Sequence, residues 1–497
     1  MIEKARLAMR QIDHVFVLML ENRSFDHFFG LSGRPGIPRP ADPDFRPGAT
    51  DRSVVDPPHE FEDVRAQVHG GAMSGFSQTA KQAFSPHDIP VITQLAQEFL
   101  LFDNWYSSLP GPTWPNRFFV HAASSGGLAA SPSALDDLTA VTLPSAAFKF
   151  QHGTIFDRLS SAGKKWRIYH GDVHPQVLSV EGMVAKSFNP EFFRPLYPEG
   201  NASGFAADLQ GDGYDVAYTF IEPNYAIQLF SQFVQGDSQH PRGLVSAGEG
   251  LVKFVYETIR NSSVWQNSLL LITWDEHGGF FDHVPPPPAI PPGDTATNRA
   301  RAGPNSPEFG FDVLGVRVPA ILVSPWVSRG VLGSKVFPGS TFDHTSVISS
   351  LRANFGLGEP ITHRDAAAPN WWSALNAQPR TGLDAGPHAL AAVQSVTTPA
   401  PAALGMVREP VAHGGQQKPD PFIEGVALIA LDLDRFVSQQ KATPTLATQV
   451  FQKPPLANSV PPTAQVAGAD LNLKLLSYIQ QVDAKVLTHK ESLKGKP

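Results

Sequence analysis

Residues 14–20 read HVFVLML and are followed at once by Glu21 and Asn22. An unbroken apolar run stopped by charge marks a strand buried on both faces of a parallel sheet. In open α/β sheets the chemistry collects just past the carboxyl ends of such strands. A second run of this kind, SLLLITW at 268–274, ends on Asp275 and Glu276. The first continues as ENRSFDHFFG and the second as DEHGGFFDHVPPPP, so each brings histidine, aspartate and paired phenylalanines with its oxygen ligands. Their matching placement predicts that two distant segments converge on one site.

Further short runs, WRIYH, VAYTFIE and VPAILVSPWV, are separated by stretches with helical periodicity at 89–103, 153–162, 248–261 and 344–355. Strands alternating with helices predict an α/β fold, a mostly parallel sheet with helices on both faces. At 497 residues the chain exceeds the usual limit for one core. An Ala-, Pro- and Gln-rich stretch at 386–420 predicts a boundary near 390, with a catalytic domain at 1–390. Residues 391–497 are then a linker and a mainly helical extension docked on it. Its amphipathic candidates are 422–440 and 470–490, the latter with a stripe of Leu471, Leu473, Leu476, Ile479 and Val482. A sharper alternative, helped by the basic tail from Lys490 to Lys496, is peripheral membrane contact. The Pro- and Gly-rich segment 284–312 is expected as a long loop over the site, able to act as a lid.

The 46 prolines and 41 glycines predict elaborated loops around a regular scaffold, and a formal charge of -7 carries no basic footprint for nucleic acid. Cysteine is absent, which excludes a disulfide framework, a thiolate zinc site and a cysteine nucleophile. No apolar stretch reaches the length of a spanning helix. Lys4, Arg6 and Arg10 precede the first run, but no small-residue cleavage site follows. The chain is therefore expected to be cytoplasmic if Met1 is the native start, and periplasmic or secreted if an export signal has been trimmed. Phosphate-loop, GxSxG, HExxH and GxGxxG signatures are missing, and DLQGDGYDV lacks the twelfth-position glutamate of a calcium loop.

Glu21, Asn22, Asp275 and Glu276 offer three carboxylates and an amide oxygen, a hard-oxygen set suited to one divalent cation such as calcium, magnesium or manganese. In GPTWPNRFF at 111–119, Thr113 reads as the cap of a helix with Pro115 in its first turn, which places a hydroxyl among unpaired N–H groups where phosphate binds. Beside a cation that hydroxyl can serve as a nucleophile. His59, His240, His277 and His283 are candidates for holding phosphate oxygens or protonating a leaving group. His344 is balanced between a structural and a functional role. The aromatics Phe28, Phe29, Trp105, Trp114, Trp166, Tyr169, Phe280 and Phe281 either form core or cage a quaternary ammonium head group.

Five segments, DHVFVLMLENRSFDHFFG, GPTWPNRFF, WDEHGGFFDHVPPP, VRVPAILVSPWVSRG and FDHTSVISSLRANFGL, together resemble the bacterial phosphoesterase family of non-haemolytic-type phospholipases C and acid phosphatase A, over residues 11 to 360. The resemblance implies an alkaline-phosphatase-like fold, a three-layer α/β/α sandwich with a mostly parallel central sheet. It implies that Glu21, Asn22, Asp275, Glu276 and Thr113 hold one metal, and that Thr113 attacks phosphorus to give a covalent phosphothreonine. It places His240, and more loosely His59, on the phosphate; His283 stays a substrate-binding candidate on its residue type alone. One more phosphate-contacting histidine is expected among His152, His170 and His174. Threonine as nucleophile leans toward the phospholipase side of the family.

The implied function is a metal-dependent phosphoric ester hydrolase of phospholipase C type, acting on a phosphorylated small molecule or phospholipid head group. Alternatives are an acid phosphatase on monoesters, a phosphoryl or head-group transferase, and a metal-dependent head-group-binding adaptor without turnover. The sequence does not speak to oligomeric state.

Overall fold

The computed structural model describes residues 9–394, apart from 10, 54, 133–135, 137–139, 141–145, 173–174, 198–203, 212, 226–235 and 303–306. All of these belong to Met1–Arg408, the first of two units into which the chain divides. The extension helices expected at 422–440 and 470–490, and the basic tail, lie outside the described residues, as does His174.

The strands are β1 (His14–Leu20), β2 (Arg46–Pro47), β3 (Gln82–Ala83), β4 (Leu100–Phe102), β5 (Trp166–His170), β6 (Phe193–Pro195), β7 (Tyr218–Glu222), β8 (Ser268–Trp274) and β9 (Ala320–Val323). Seven of them form one sheet in the order β4-β9-β8-β1-β7-β5-β6, while β2 and β3 make a separate two-stranded ribbon. In the large sheet only β9 runs against its neighbours, β4 and β8. The mostly parallel sheet read from the sequence is therefore present, with the VPAILVSPWV run supplying the one reversed strand. HVFVLML is the central strand β1, every residue of it buried between β7 and β8. That double burial is why it reads as continuous apolar sequence rather than as alternation.

Helices cover both faces. Phe16 of β1 and Tyr169 of β5 meet Phe205 of the helix Phe205–Gln210, and Phe205 in turn meets Phe254 of the helix Val245–Arg260. Tyr218 and Phe220 of β7 meet instead Phe156 of the helix Ile155–Ser161 and His121 of the helix Thr113–Ala122. Phe16 lies beside Thr219, and Tyr169 beside Ile221, the positions that alternate along β7 with Tyr218 and Phe220. Adjacent residues along a strand point to opposite faces, which puts the two helix sets on opposite sides of the sheet.

Three expectations are adjusted by the structure. The helix expected at 89–103 ends at Glu98, Phe99 turns to extended backbone, and Leu100–Phe102 form the edge strand β4. The described part of the loop 284–312 is not free-standing: Asn298, almost fully buried, bonds the Ser125 and Lys149 carbonyls at 3.3 and 2.9 Å, and the Pro292 carbonyl accepts from His363 N at 2.9 Å. The helix expected at 248–261 begins at Val245, because Asp51 accepts from Ser246 N at 2.7 Å and Ser246 Oγ at 2.6 Å and so caps it from a distant loop. The main unit does not stop short of 390, since Leu390 is buried in its core. No helix among the described residues is long and apolar enough to cross a membrane.

Candidate active site

Pairing of Leu20 with Trp274 makes the two strands end together, so Glu21 and Asp275 leave the sheet side by side. Asn22 turns into the left-handed region at φ 59, a conformation rare for a residue with a side chain and concentrated at functional sites. Its N–H donates to Asp275 Oδ1 at 3.0 Å, and its Oδ1 accepts the Thr113 hydroxyl at 3.2 Å. Glu276 N also donates to Asp275 Oδ1, at 2.7 Å. The nucleophile candidate, the amide and the acidic pair thus form one connected group.

Thr113 is the first helical residue and not the cap expected from the sequence; Pro112 holds the cap position. Its hydroxyl is therefore free to face Asn22. Asn116 fixes the preceding loop by donating to the Leu109, Gly111 and Pro112 carbonyls at 3.3, 2.9 and 3.0 Å. One turn beyond Thr113, the buried Arg117 donates through Nε to Asp275 Oδ2 at 2.9 Å and through Nη2 to the Met19 and Leu20 carbonyls at 3.2 and 3.1 Å. This clamp seats the start of the helix on the end of β1 and β8. Sequence reasoning missed Arg117; the available signal was the one Lys, Arg, Asp or Glu in the helix, one turn after Thr113.

The acidic residues are deeply buried, and burial raises their proton affinity. Desolvation pushes Glu21 up to about 8 against the pull of Arg117, with Asp275 and Glu276 adding to the rise. Asp275 is lifted to about 6, again by burial first, with Arg117 opposing. Glu276 Oε2 accepts from Gly278 N at 2.7 Å and lies 3.2 Å from His277 Nδ1. The far nitrogen of His277 is 2.9 Å from Gln67 Oε1, and Gln67 Nε2 donates to the Pro58 carbonyl at 2.6 Å, so His277 orients Glu276. Two carboxylate oxygens, Glu21 Oε2 and Glu276 Oε1, are buried with no hydrogen-bond partner. Orphaned buried acceptors among clustered carboxylates fit a bound cation, which would neutralise them.

His59 joins this group: Nε2 is 3.2 Å from Asn22 Nδ2 and 4.0 Å from Glu276 Oε1, while Nδ1 is 2.6 Å from the Pro57 carbonyl. A carbonyl only accepts, so Nδ1 carries a proton. Burial lowers the affinity of His59 for its second proton, but Glu276 and Asp56 more than offset it and raise the imidazole to about 9. His240 lies beside it, ring centroids 6.3 Å apart, and burial holds it well below the usual histidine range. Asp56 faces both, 4.0 Å from His59 Nδ1 and 3.5 Å from His240 Nε2. His240 is carried by a loop pinned at Ser238 and Gln239, whose carbonyls accept from Glu21 N and Arg23 Nε at 2.8 Å each.

His283 is the site residue that the structure places elsewhere. Its Nδ1 lies 2.6 Å from Asp26 Oδ2, in a clasp where Arg317 donates to Asp26 Oδ1 at 3.1 Å and Asp282 Oδ2 at 3.2 Å. The clasp bonds the segment after β1 to the segment after β8. His344 is structural: Trp105 Nε1 donates to its Nδ1 at 3.4 Å, leaving Nε2 to donate to the Asp275 carbonyl at 2.6 Å. His170 lies at the end of β5 with Nδ1 2.6 Å from the Asp172 carbonyl. Of the proposed aromatic cage, all but Trp114 are buried core side chains, so a head-group cage from this set is not formed. Among the described residues, the groups of three whose ligand atoms lie within 4.8 Å of one another are Asp56–His59–His240 and Asp26–Asp282–His283.

The family model for the Phosphoesterase family matches residues 12–358, which takes in both strand ends, the Thr113 helix and both imidazoles. The chain belongs to the Phosphoesterase family. Among curated relatives, it is 34% identical to "Non-specific phospholipase C6" of Arabidopsis thaliana over 410 residues, covering 74% of each chain. It is 29% identical to "Phospholipase C A" of Mycobacterium tuberculosis over 426 residues, 73% of this chain and 77% of the relative. A solved protein of the alkaline phosphatase superfamily from Vibrio parahaemolyticus aligns over 74% of this chain and 78% of its own at 11% identity and a TM-score of 0.33. As a member of the family, the chain is a hydrolase of phosphoric ester bonds.

Proposed function

We propose that the protein is a metal-dependent phosphodiesterase of the phospholipase C type that works through a covalent phosphothreonine at Thr113. The observation that carries this reading is the Thr113 hydroxyl at a helix start, 3.2 Å from Asn22 Oδ1, in a group containing two buried carboxylate oxygens with no hydrogen-bond partner. A divalent cation held by Glu21, Asn22, Asp275 and Glu276, with the Thr113 oxygen, would supply a Lewis acid that favours the alkoxide and neutralises phosphate charge.

Thr113 enters as the alkoxide, its proton given to water. Its Oγ1 forms a bond to phosphorus as the opposite ester oxygen leaves with the bonding pair and takes a proton from an imidazole. His59 and His240 stand where they can bind the phosphate oxygens, and Glu276 and Asp56 favour the charged form of His59 once its Nε2 turns from Asn22 Nδ2 to a phosphate oxygen. Water then bonds to phosphorus while giving a proton back to that imidazole, the phosphorus–Oγ1 bond breaks with its electron pair going to Oγ1, and the Thr113 alkoxide is regenerated. On a phospholipid the leaving group is diacylglycerol and the second product is the phosphorylated head group, in keeping with the names of the relatives.

Replacing Thr113 by Ala should reduce turnover of bis-p-nitrophenyl phosphate and of phosphatidylcholine by roughly a thousandfold or more. Turnover within about tenfold of wild type on every substrate would overturn the assignment.

A further inference from the structure

We propose that Asp56 is the residue that makes the site select singly charged phosphodiesters over doubly charged phosphomonoesters. This rests on the reading above, in which His59 and His240 receive the phosphate. Asp56 brings a carboxylate to both imidazoles, with Oδ1 4.0 Å from His59 Nδ1 and Oδ2 3.5 Å from His240 Nε2. These separations are longer than those of charge-assisted hydrogen bonds, about 2.7–2.9 Å, so the carboxylate faces the imidazoles without being locked to them. Oδ1 is buried and has no hydrogen-bond partner, although the side chain as a whole is 36% exposed.

His240 Nδ1 accepts from Arg242 N at 3.3 Å, which leaves the Nε2 edge as the one that meets both Asp56 and an incoming phosphate oxygen. Any phosphate held there shares its donors with a fixed negative charge. Arg23 and Arg242 also face Asp56, but their charges are the same with or without the carboxylate, so what Asp56 adds to the field is its own single negative charge. Repulsion scales with the charge on the ligand, so a dianionic monoester is penalised about twice as much as a monoanionic diester. With a polar-site dielectric and partial solvent screening, the extra charge corresponds to roughly a ten- to hundredfold preference. The metal cluster cannot make this distinction, because a cation attracts the dianion more strongly.

The test is Asp56→Asn, which keeps the shape and removes the charge. At about pH 8, where a phosphomonoester is a dianion, kcat/KM is measured for bis-p-nitrophenyl phosphate and for p-nitrophenyl phosphate. The ratio of diester to monoester should fall roughly tenfold or more, chiefly through a gain on the monoester, and Asp56→Glu should keep most of it. An unchanged ratio, or an equal loss on both substrates, overturns the proposal and leaves Asp56 a positioning residue at most. Calorimetric binding of inorganic phosphate against dimethyl phosphate decides the same question if the variant is folded but inactive: phosphate should gain relative to the diester. Wild-type protein inactive on both esters would refute the phosphodiesterase reading, while that binding comparison would still judge Asp56.

Discussion

Gly278 offers the most exacting perturbation of the site that leaves every candidate catalytic side chain in place. It adopts φ +64, and a Cβ added there would lie 2.2 Å from the Asn22 carbonyl oxygen and 2.7 Å from the Asn22 carbonyl carbon and Cβ. Real Cβ contacts stay beyond 3.0 Å, so Gly278→Ala must separate the two backbones by at least about 0.8 Å. The left-handed backbone adds about 1–2 kcal/mol of strain for alanine. Both segments that move carry the chemistry: Asn22 links Thr113 to Asp275, and Gly278 N holds Glu276 Oε2 at 2.7 Å. A displacement near 1 Å in a positioned catalytic group costs on the order of a hundredfold in rate. The variant should therefore stay folded, with a lowered melting temperature, and lose roughly two orders of magnitude in kcat on bis-p-nitrophenyl phosphate. A kcat within about twofold of wild type would refute the claim that the close approach of Gly278 to Asn22 holds the Asn22–Asp275–Thr113 geometry.

Arg117→Met strips a fully buried guanidinium from Asp275 and from two strand-end carbonyls, and should cost about 3–5 kcal/mol in urea unfolding; a loss under about 1 kcal/mol would show that the clamp is dispensable. His121, buried between Phe156 and Phe220 with neither nitrogen hydrogen-bonded, is pushed by burial down to about 3. The unfolded chain takes up this proton below about 6.5 and the folded chain only near 3, so stability falls with acidity across that window by about 1.4 kcal/mol per pH unit. His121→Phe should remove one proton from the pH dependence of unfolding there, and an unchanged slope would contradict the assignment. Exhaustive chelation should abolish turnover and lower the melting temperature, with activity restored by one of magnesium, manganese or calcium; full activity in metal-free protein would dismiss the cation.

The two strand ends were legible because a strand buried on both faces must be apolar throughout, so the charge that ends it stands out in HVFVLML-Glu21 and SLLLITW-Asp275. Leu100–Phe102 were not, because a short edge strand following PVITQLAQE continues an apolar pattern already assigned to a helix. Arg117, Asp56 and the Gln67–His277 brace escaped notice for a different reason. Each meets a partner far along the chain, Arg117 with Asp275, Asp56 with His240 and Gln67 with His277, and no local periodicity encodes such pairing. His283 shows the converse: its neighbour Asp282 and the distant Asp26 and Arg317 join it in a clasp of the same residue types that a metal or phosphate site would use.

The stereochemical course at phosphorus decides most directly whether the reaction passes through Thr113. With a phosphodiester made chiral at phosphorus by sulfur and oxygen isotopes, two successive in-line displacements, first by the threonine oxygen and then by water, give net retention. Inversion would mean that water attacks the substrate in a single step, and the covalent phosphothreonine would have to be abandoned.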